Sequence, residues 1–196
     1  MREYIEGTTV SRKYDLRVGA TEHELETILE IIKDYNIYNF VEVGIHEGGL
    51  TEYLMDTKCR YLGIEINEGI VRPEMKEEIA RCGMEVIYAD CMVESTLIKV
   101  EEFLFISSGK SLIYCDNGNK KEEIKVYYEL ARFGDIILTH DFSDGKRKVR
   151  GIREYNYPEV TLKDIKFMED NPLFERLPES LLKETRLIGW IKIKDG

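Results

Sequence analysis

The chain has no long apolar run. Its longest hydrophobic stretches are only a few residues, whereas a membrane-spanning helix needs about 20. Met1 to Gly7 is polar and carries no apolar signal segment, so cytoplasmic residence is the expectation. Four cysteines (Cys59, Cys82, Cys91 and Cys115) are widely spread and form no C-x-x-C pair. That suits neither a zinc site nor a disulfide framework, and Cys82, Cys91 and Cys115 read instead as small core residues. Basic residues are in deficit, 28 against 38 acidic, for a formal net charge of −10. A nucleic-acid partner would more often meet a basic face. Low-complexity tracts, internal repeats and linkers are absent as well, so 196 residues read as one domain, 1–196, with a substantial core.

What is present is an alternation. Residues 1–20 read as an N-terminal arm. Thr21-Glu22-His23-Glu24 has the form of a capping box, and Leu25, Ile28, Leu29 and Ile32 follow at helical spacing. A helix over about 22–35 is predicted, with His23 exposed in its first turn. Asn36 to Asn39 leads into an apolar strand, Phe40 to Val43, closed by Gly44. Gly48-Gly49 then opens a helix at Leu50. Further strands are expected at Arg60–Ile66, Met84–Tyr88, Ser111–Asp116 and Ile136–Asp141. Helices are expected between them: Pro73 to Cys82 with Met75, Ile79 and Cys82 on one face, Thr96 to Ile106, and Lys120 to Phe133. Five β-α repeats with short connections imply a parallel sheet covered on both faces. The tail breaks the rhythm with one more helix around Leu162, Ile165 and Met168. A last strand, Arg186 to Lys194, is reached without a crossover and is expected to pair antiparallel.

In such a sheet, ligands bind outside the carboxyl ends of the strands. Polar features collect at that edge: Gly44 to Gly49, then Glu65 with Ile66, Asp90 with Cys91, Asp116, and His140-Asp141. Glycine lets the backbone approach a ligand, and a helix start offers free N–H groups. Glu65 lies 21 residues after Gly44, near the spacing at which an acid meets ribose hydroxyls. The turn is not the dinucleotide fingerprint, since His46 stands where G-x-G-x-x-G needs its second glycine and Glu47 would repel a pyrophosphate.

Glu42-Val43-Gly44-Ile45-His46-Glu47-Gly48 resembles the E-x-G-x-x-x-G motif of class I S-adenosylmethionine-dependent methyltransferases. The resemblance covers residues 21–142 and the last strand. It implies an α/β, Rossmann-like open twisted sheet, mostly parallel, with a C-terminal antiparallel strand and helices on both faces. It also implies S-adenosylmethionine held by Glu42, Gly44, His46, Gly48, Gly49, Glu65, Ile66, Asp90, Cys91 and Asp116. Glu65 matches the ribose acid and Asp90 the acid near the adenine amine. A cationic sulfonium would suit the acids Glu42, Glu47 and Asp116. A narrower similarity, in Asp116-Asn117-Gly118-Asn119 and Gly134 to Asp141, is to small-molecule O-methyltransferases of the cephalosporin and macrolide-sugar type. Metal-dependent relatives hold Mg²⁺ on strand-four and strand-five carboxylates. Asp116 and Asp141 could do so here, although His140 stands where those relatives usually carry another acid.

The expected activity is methyl transfer to a small-molecule acceptor, an O-methylation, with His140 as general base or metal-adjacent ligand and Asp141 and Asp116 beside it. The segment 142–180, including Tyr155 and Tyr157, is expected to form an acceptor-side lid. The basic run Gly145 to Arg150 reads as solvated, with a clamp on an acceptor's phosphate or carboxylate as the alternative. Two other functions stay open: a nucleoside-binding regulatory module without transfer, and a NAD-linked oxidoreductase, which the missing glycine disfavours. Self-association is open too.

Overall fold

Thr21 caps the first helix as the sequence requires. Its hydroxyl accepts the Glu24 N–H at 3.2 Å while the Glu24 carboxylate accepts the Thr21 N–H at 2.8 Å. The computed structural model describes residues 9–11, 13–146, 148–150, 152 and 158–195. Its elements are α1 (Glu22–Asp34), β1 (Ile37–Val43), α2 (Gly49–Leu54), β2 (Arg60–Glu65), α3 (Pro73–Arg81), β3 (Glu85–Tyr88), α4 (Glu94–Phe105), β4 (Lys110–Cys115), α5 (Lys120–Leu130) and β5 (Ile136–Thr139). The tail adds β6 (Phe142–Ser143), β7 (Val160–Thr161), α6 (Lys166–Glu169), β8 (Phe174–Arg176), α7 (Glu179–Leu182) and β9 (Ile188–Lys192).

Seven strands form one sheet in the order β3-β2-β1-β4-β5-β9-β8. Strands β1 to β5 are mutually parallel, and β9 runs antiparallel to both β5 and β8. Alternate residues serve opposite faces. Val41, Val43, Ile113 and Ile137 pack with α4 and α5, while Phe40, Leu112, Tyr114 and Leu138 pack with α1 and α2. Each such fully buried side chain contributes about 1.5–3 kcal/mol.

Several boundaries differ from those predicted. The first strand begins at Ile37, three residues earlier, because Ile37 already pairs with Lys110 and the polar Asn39 with Arg60 and Ser111, with a register shift between Ile37 and Asn39. Cys82 is exposed at the C-cap of α3 rather than in its apolar face. The fifth helix stops at Leu130, leaving Phe133 in solvent. His23 is half-buried, its ring 3.0 Å from the Lys183 carbonyl. The expected tail helix is only the four residues of α6, and β6, β7, β8 and α7 carry too few residues to show a period. Ile165 and Met168 are core residues and β8 extends the sheet, so this part of 142–180 is scaffold. Tyr155 and Tyr157 lie outside the described residues.

The arm before α1 packs onto α2. A Cβ on Gly49 would stand 2.1 Å from the Arg17 carbonyl oxygen. Gly49→Ala is therefore expected to destabilise the chain by about 1–3 kcal/mol through overpacking, read as an earlier urea midpoint. An unchanged midpoint would mean that the arm does not press on α2.

Candidate active site

The sheet order reverses between β1 and β4, and a cavity of about 450 Å³ opens at their carboxyl ends. Glu42, Gly44, His46, Glu65, Ile66, Asp116, His140 and Asp141 all line it; Gly48, Gly49, Asp90 and Cys91 do not. The two groups differ for local reasons. Gly44 has φ +97°, and a Cβ there would lie 2.9 Å from the Asp116 carbonyl oxygen, so glycine lets the turn after β1 touch the turn after β4. Gly48 sits in the left-handed region against Met75, and Gly49 lies under the arm. Both glycines are packed closely at the start of the six-residue α2, and neither is among the residues that line the cavity. Asp90 is exposed and accepts the Met92 N–H at 2.8 Å, closing its own turn. Cys91 is buried behind Asn117, and burial pushes its thiol up to about 11.

Glu65 is held from both sides. One oxygen accepts the His46 N–H at 2.9 Å and the other the Asn67 N–H at 3.0 Å. His46 reaches this geometry with φ +54°. Glu42 departs from expectation. One of its oxygens accepts the Tyr61 hydroxyl at 2.6 Å and the Thr51 hydroxyl at 3.0 Å, and burial pushes the carboxyl up to about 8. At neutral pH it is a carboxylic acid and adds no negative charge. Glu47 instead accepts the Arg17 N–H and does not reach the cavity.

His140 is buried, 2% exposed. Its Nε2 lies 3.3 Å from a Glu24 oxygen, and its Nδ1 lies 3.3 Å from Asp116 and 3.4 Å from Asp141. Burial and the Arg186 guanidinium oppose a charged ring, but the three carboxylates outweigh them and hold its pKa well above the ordinary value. This surrounding favours the imidazolium, which donates from both nitrogens, whereas the sequence led to the expectation of a base or metal-adjacent ligand.

Four further residues, Arg186, Glu24, Lys120 and Glu159, join the site although the strand-end pattern does not point to them. Arg186, 1% exposed, donates Nε at 3.0 Å to one Glu24 oxygen, Nη2 at 2.7 Å to the other, and Nη1 at 3.0 Å to Asp141. Glu24 thus does far more than cap α1. Lys120 Nζ lies 3.3 Å from Asp116, 3.1 Å from Asp141 and 2.8 Å from Glu159, and donates to the Asn117 carbonyl at 2.9 Å. The sequence offers only weak signals: Lys120 lies four residues after Asp116, and Arg186 stands at the start of the last predicted strand.

Four carboxylates (Glu24, Asp116, Asp141, Glu159) therefore face three cations (Lys120, His140, Arg186), a net charge of −1. Asp116, His140 and Asp141 bring ligand atoms within 4.8 Å of one another. The arrangement nonetheless does not fit Mg²⁺, which takes anionic or neutral oxygens at about 2.1 Å. Here the carboxylate oxygens already hold an ammonium, a guanidinium and an imidazolium. The basic run after β5 stays away: Lys146 and Lys148 are exposed, Arg150 pairs with Glu184 at 3.2 Å, and Arg147 lies outside the described residues.

Burial opposes the charges on Glu24, Asp116 and Asp141, but the adjacent cations prevail and hold all three below the usual carboxylate range. Their stabilisation is present above the unfolded values near 4 and is lost as pH falls through the folded values. Glu24→Gln keeps the cap and removes the charge. It is expected to cost about 3–5 kcal/mol at neutral pH by stranding Arg186, with the gap to wild type narrowing below about pH 4. Urea melts across that range test it; a gap that does not change with pH would contradict the ionic origin.

No protein-family model matches the chain. Among curated proteins it is similar to ribosomal RNA small subunit methyltransferase A of Mycoplasma genitalium, 27% identical over 107 residues, which is 55% of this chain and 38% of that protein. The match thus spans well under half of the relative's length. Among solved structures, the apo structure of CmcI superposes with a TM-score of 0.64 at 12% identity, covering 94% of this chain and 76% of that one. A Staphylococcus aureus protein described as a caffeoyl-CoA O-methyltransferase gives 0.55 at 17%, covering 86% and 82%. An S-adenosylmethionine-dependent methyltransferase from Clostridium acetobutylicum gives 0.54 at 10%, covering 89% and 92%. With seven strands in this order and β9 alone reversed, the chain has the fold of the class I S-adenosylmethionine-dependent methyltransferases.

Proposed function

We propose that this chain transfers the methyl group of S-adenosylmethionine to a hydroxyl of a small-molecule acceptor. The observation that carries the reading is Glu65, a nearly buried carboxylate fixed by two backbone N–H groups at the edge of a 450 Å³ cavity whose far wall is the Asp116–His140–Asp141 cluster. An ionised carboxylate is acceptor-only, and its remaining lone pairs suit both hydroxyls of a ribose. Ile66 and Ile70 give the same wall an apolar face for a base. S-adenosylmethionine supplies the methyl group as an electrophilic sulfonium, and the net negative cluster favours that charge.

The acceptor side follows from the same groups. Asp116 and Asp141, held below the usual carboxylate range, accept a hydrogen bond from the acceptor's hydroxyl without taking its proton. His140 as an imidazolium fixes both carboxylates. The residues align the acceptor oxygen and stabilise charge, which is how such a site contributes most. The new C–O bond forms as the S–methyl bond breaks, and the acceptor's proton passes to solvent water in the cavity, which the partly exposed Glu159 lines. The Mycoplasma relative is named for ribosomal RNA; the net charge of −10 favours a small acceptor here.

Calorimetric titration with S-adenosylmethionine is expected to show binding that Glu65→Gln weakens about tenfold and Glu65→Ala more, each lost charge-assisted hydrogen bond being worth about 1.5–3 kcal/mol. Absence of heat for the wild-type chain would remove the transfer reading.

A further inference from the structure

We propose that Lys120 fills, with its own ammonium group, the position at which the Asp116–Asp141 pair would otherwise hold a divalent cation, and that the site works without one. This deepens the transfer reading and rests on it for the site's purpose.

Three carboxylates, from the end of β4, the end of β5 and the start of β7, converge on one atom. Asp116 Oδ1, Asp141 Oδ2 and Glu159 Oε2 stand 3.3, 3.1 and 2.8 Å from Lys120 Nζ. The Asn117 carbonyl at 2.9 Å is a fourth oxygen. Four oxygens around one point is the donor set of a cation site, and the point is taken by nitrogen. An ammonium has three donors, so these four acceptors use all of them.

The lysine is placed by the fold rather than by chance. It opens α5 one turn after Asp116, and its side chain is 5% exposed. To admit a metal, this buried side chain would have to leave three carboxylates and find water. The two remaining cations reinforce the exclusion. His140 Nδ1 shares the same Asp116 oxygen as Lys120, and Arg186 holds the other Asp141 oxygen. A divalent ion in place of the ammonium would raise the positive charge beside His140 and Arg186 inside a region of low dielectric, where like charges a few Å apart repel strongly.

Lys120 is thus a positioning residue. It holds Asp116 and Asp141 at one spacing, as a bridging metal would, where both line the cavity. Glu159 brings the chain after β6 to the same point, because its N–H and that of Val160 both donate to the Asp141 carbonyl, at 3.0 and 3.2 Å.

The test is a Mn²⁺ titration of the full chain followed by electron paramagnetic resonance, with Lys120→Met and Lys120→Gln as variants and thermal melts to confirm folding. Wild type is expected to take up no Mn²⁺ at about 1 mM, the weak end of protein sites. At least one folded variant is expected to gain at least about tenfold in affinity, and Asp116→Asn in that background to abolish the gain. Wild-type Mn²⁺ binding that Asp141→Asn removes would overturn the proposal whatever the variants do. Folded variants as inert as wild type would overturn it equally. S-adenosylmethionine calorimetry on the same samples reads the transfer hypothesis separately, since cation uptake and cofactor binding can each fail alone.

Discussion

Everything at the carboxyl edge of the sheet depends on the buried contact between Glu24 and Arg186. A carboxylate at 0% exposure and a guanidinium at 1% meet through both guanidinium forks, with the Arg186 N–H adding a third bond at 2.6 Å. Buried charges are costly unless paired and fully hydrogen-bonded. Here the pairing is complete: Arg186 also donates to the Gly19 carbonyl and Asp141, and Glu24 also accepts from Thr21. One contact therefore joins the arm, the start of α1, the end of β5 and the entry to β9, which are far apart in the chain.

That junction decides the state of His140. Without Glu24 behind it, the ring would face only Asp116 and Asp141 from one side; with Glu24, both nitrogens point at carboxylates. Three carboxylates around the ring favour its cationic form, which suits a residue type that usually suggests acid–base work to the role of a fixed donor. Lys120 completes the pattern from the cavity side. The site is an alternating array of charges that constrain one another, an arrangement suited to positioning and to a fixed field.

The neutral Glu42 belongs to the same logic. It faces the α2 side of β1, where Thr51 and Tyr61 satisfy it and, among the described residues, no cation pairs with it. It is therefore protonated at neutral pH, and it joins β1, α2 and β2 by hydrogen bonds. Two acids that look alike in sequence, Glu42 and Asp116, end in opposite protonation states because only one has cations beside it.

Much of the fold was legible. The Thr21–Glu24 box, the apolar strands, Pro73 at the start of α3 and the reversed last strand all rest on local composition and period, and these survive into the structure. The short tail elements were not legible, since two to four residues carry no period. Of the site, Gly44, Glu65, Asp116, His140 and Asp141 could be placed from the strand-end rule, because sheet topology alone brings those positions to one edge. Glu24, Lys120, Glu159 and Arg186 could not, nor could the packing roles of Gly48 and Gly49 or the outward turn of Asp90. The sequence by itself determined which residues form the sheet and which of its ends is polar, because periodicity and strand polarity are properties of neighbours along the chain. Only the tertiary structure decided which charges meet, which acid is neutral and where a lysine stands among three carboxylates. Those depend on burial and on distances of about 3 Å between residues up to 162 positions apart, and Coulomb interactions at that range carry no signature in local order.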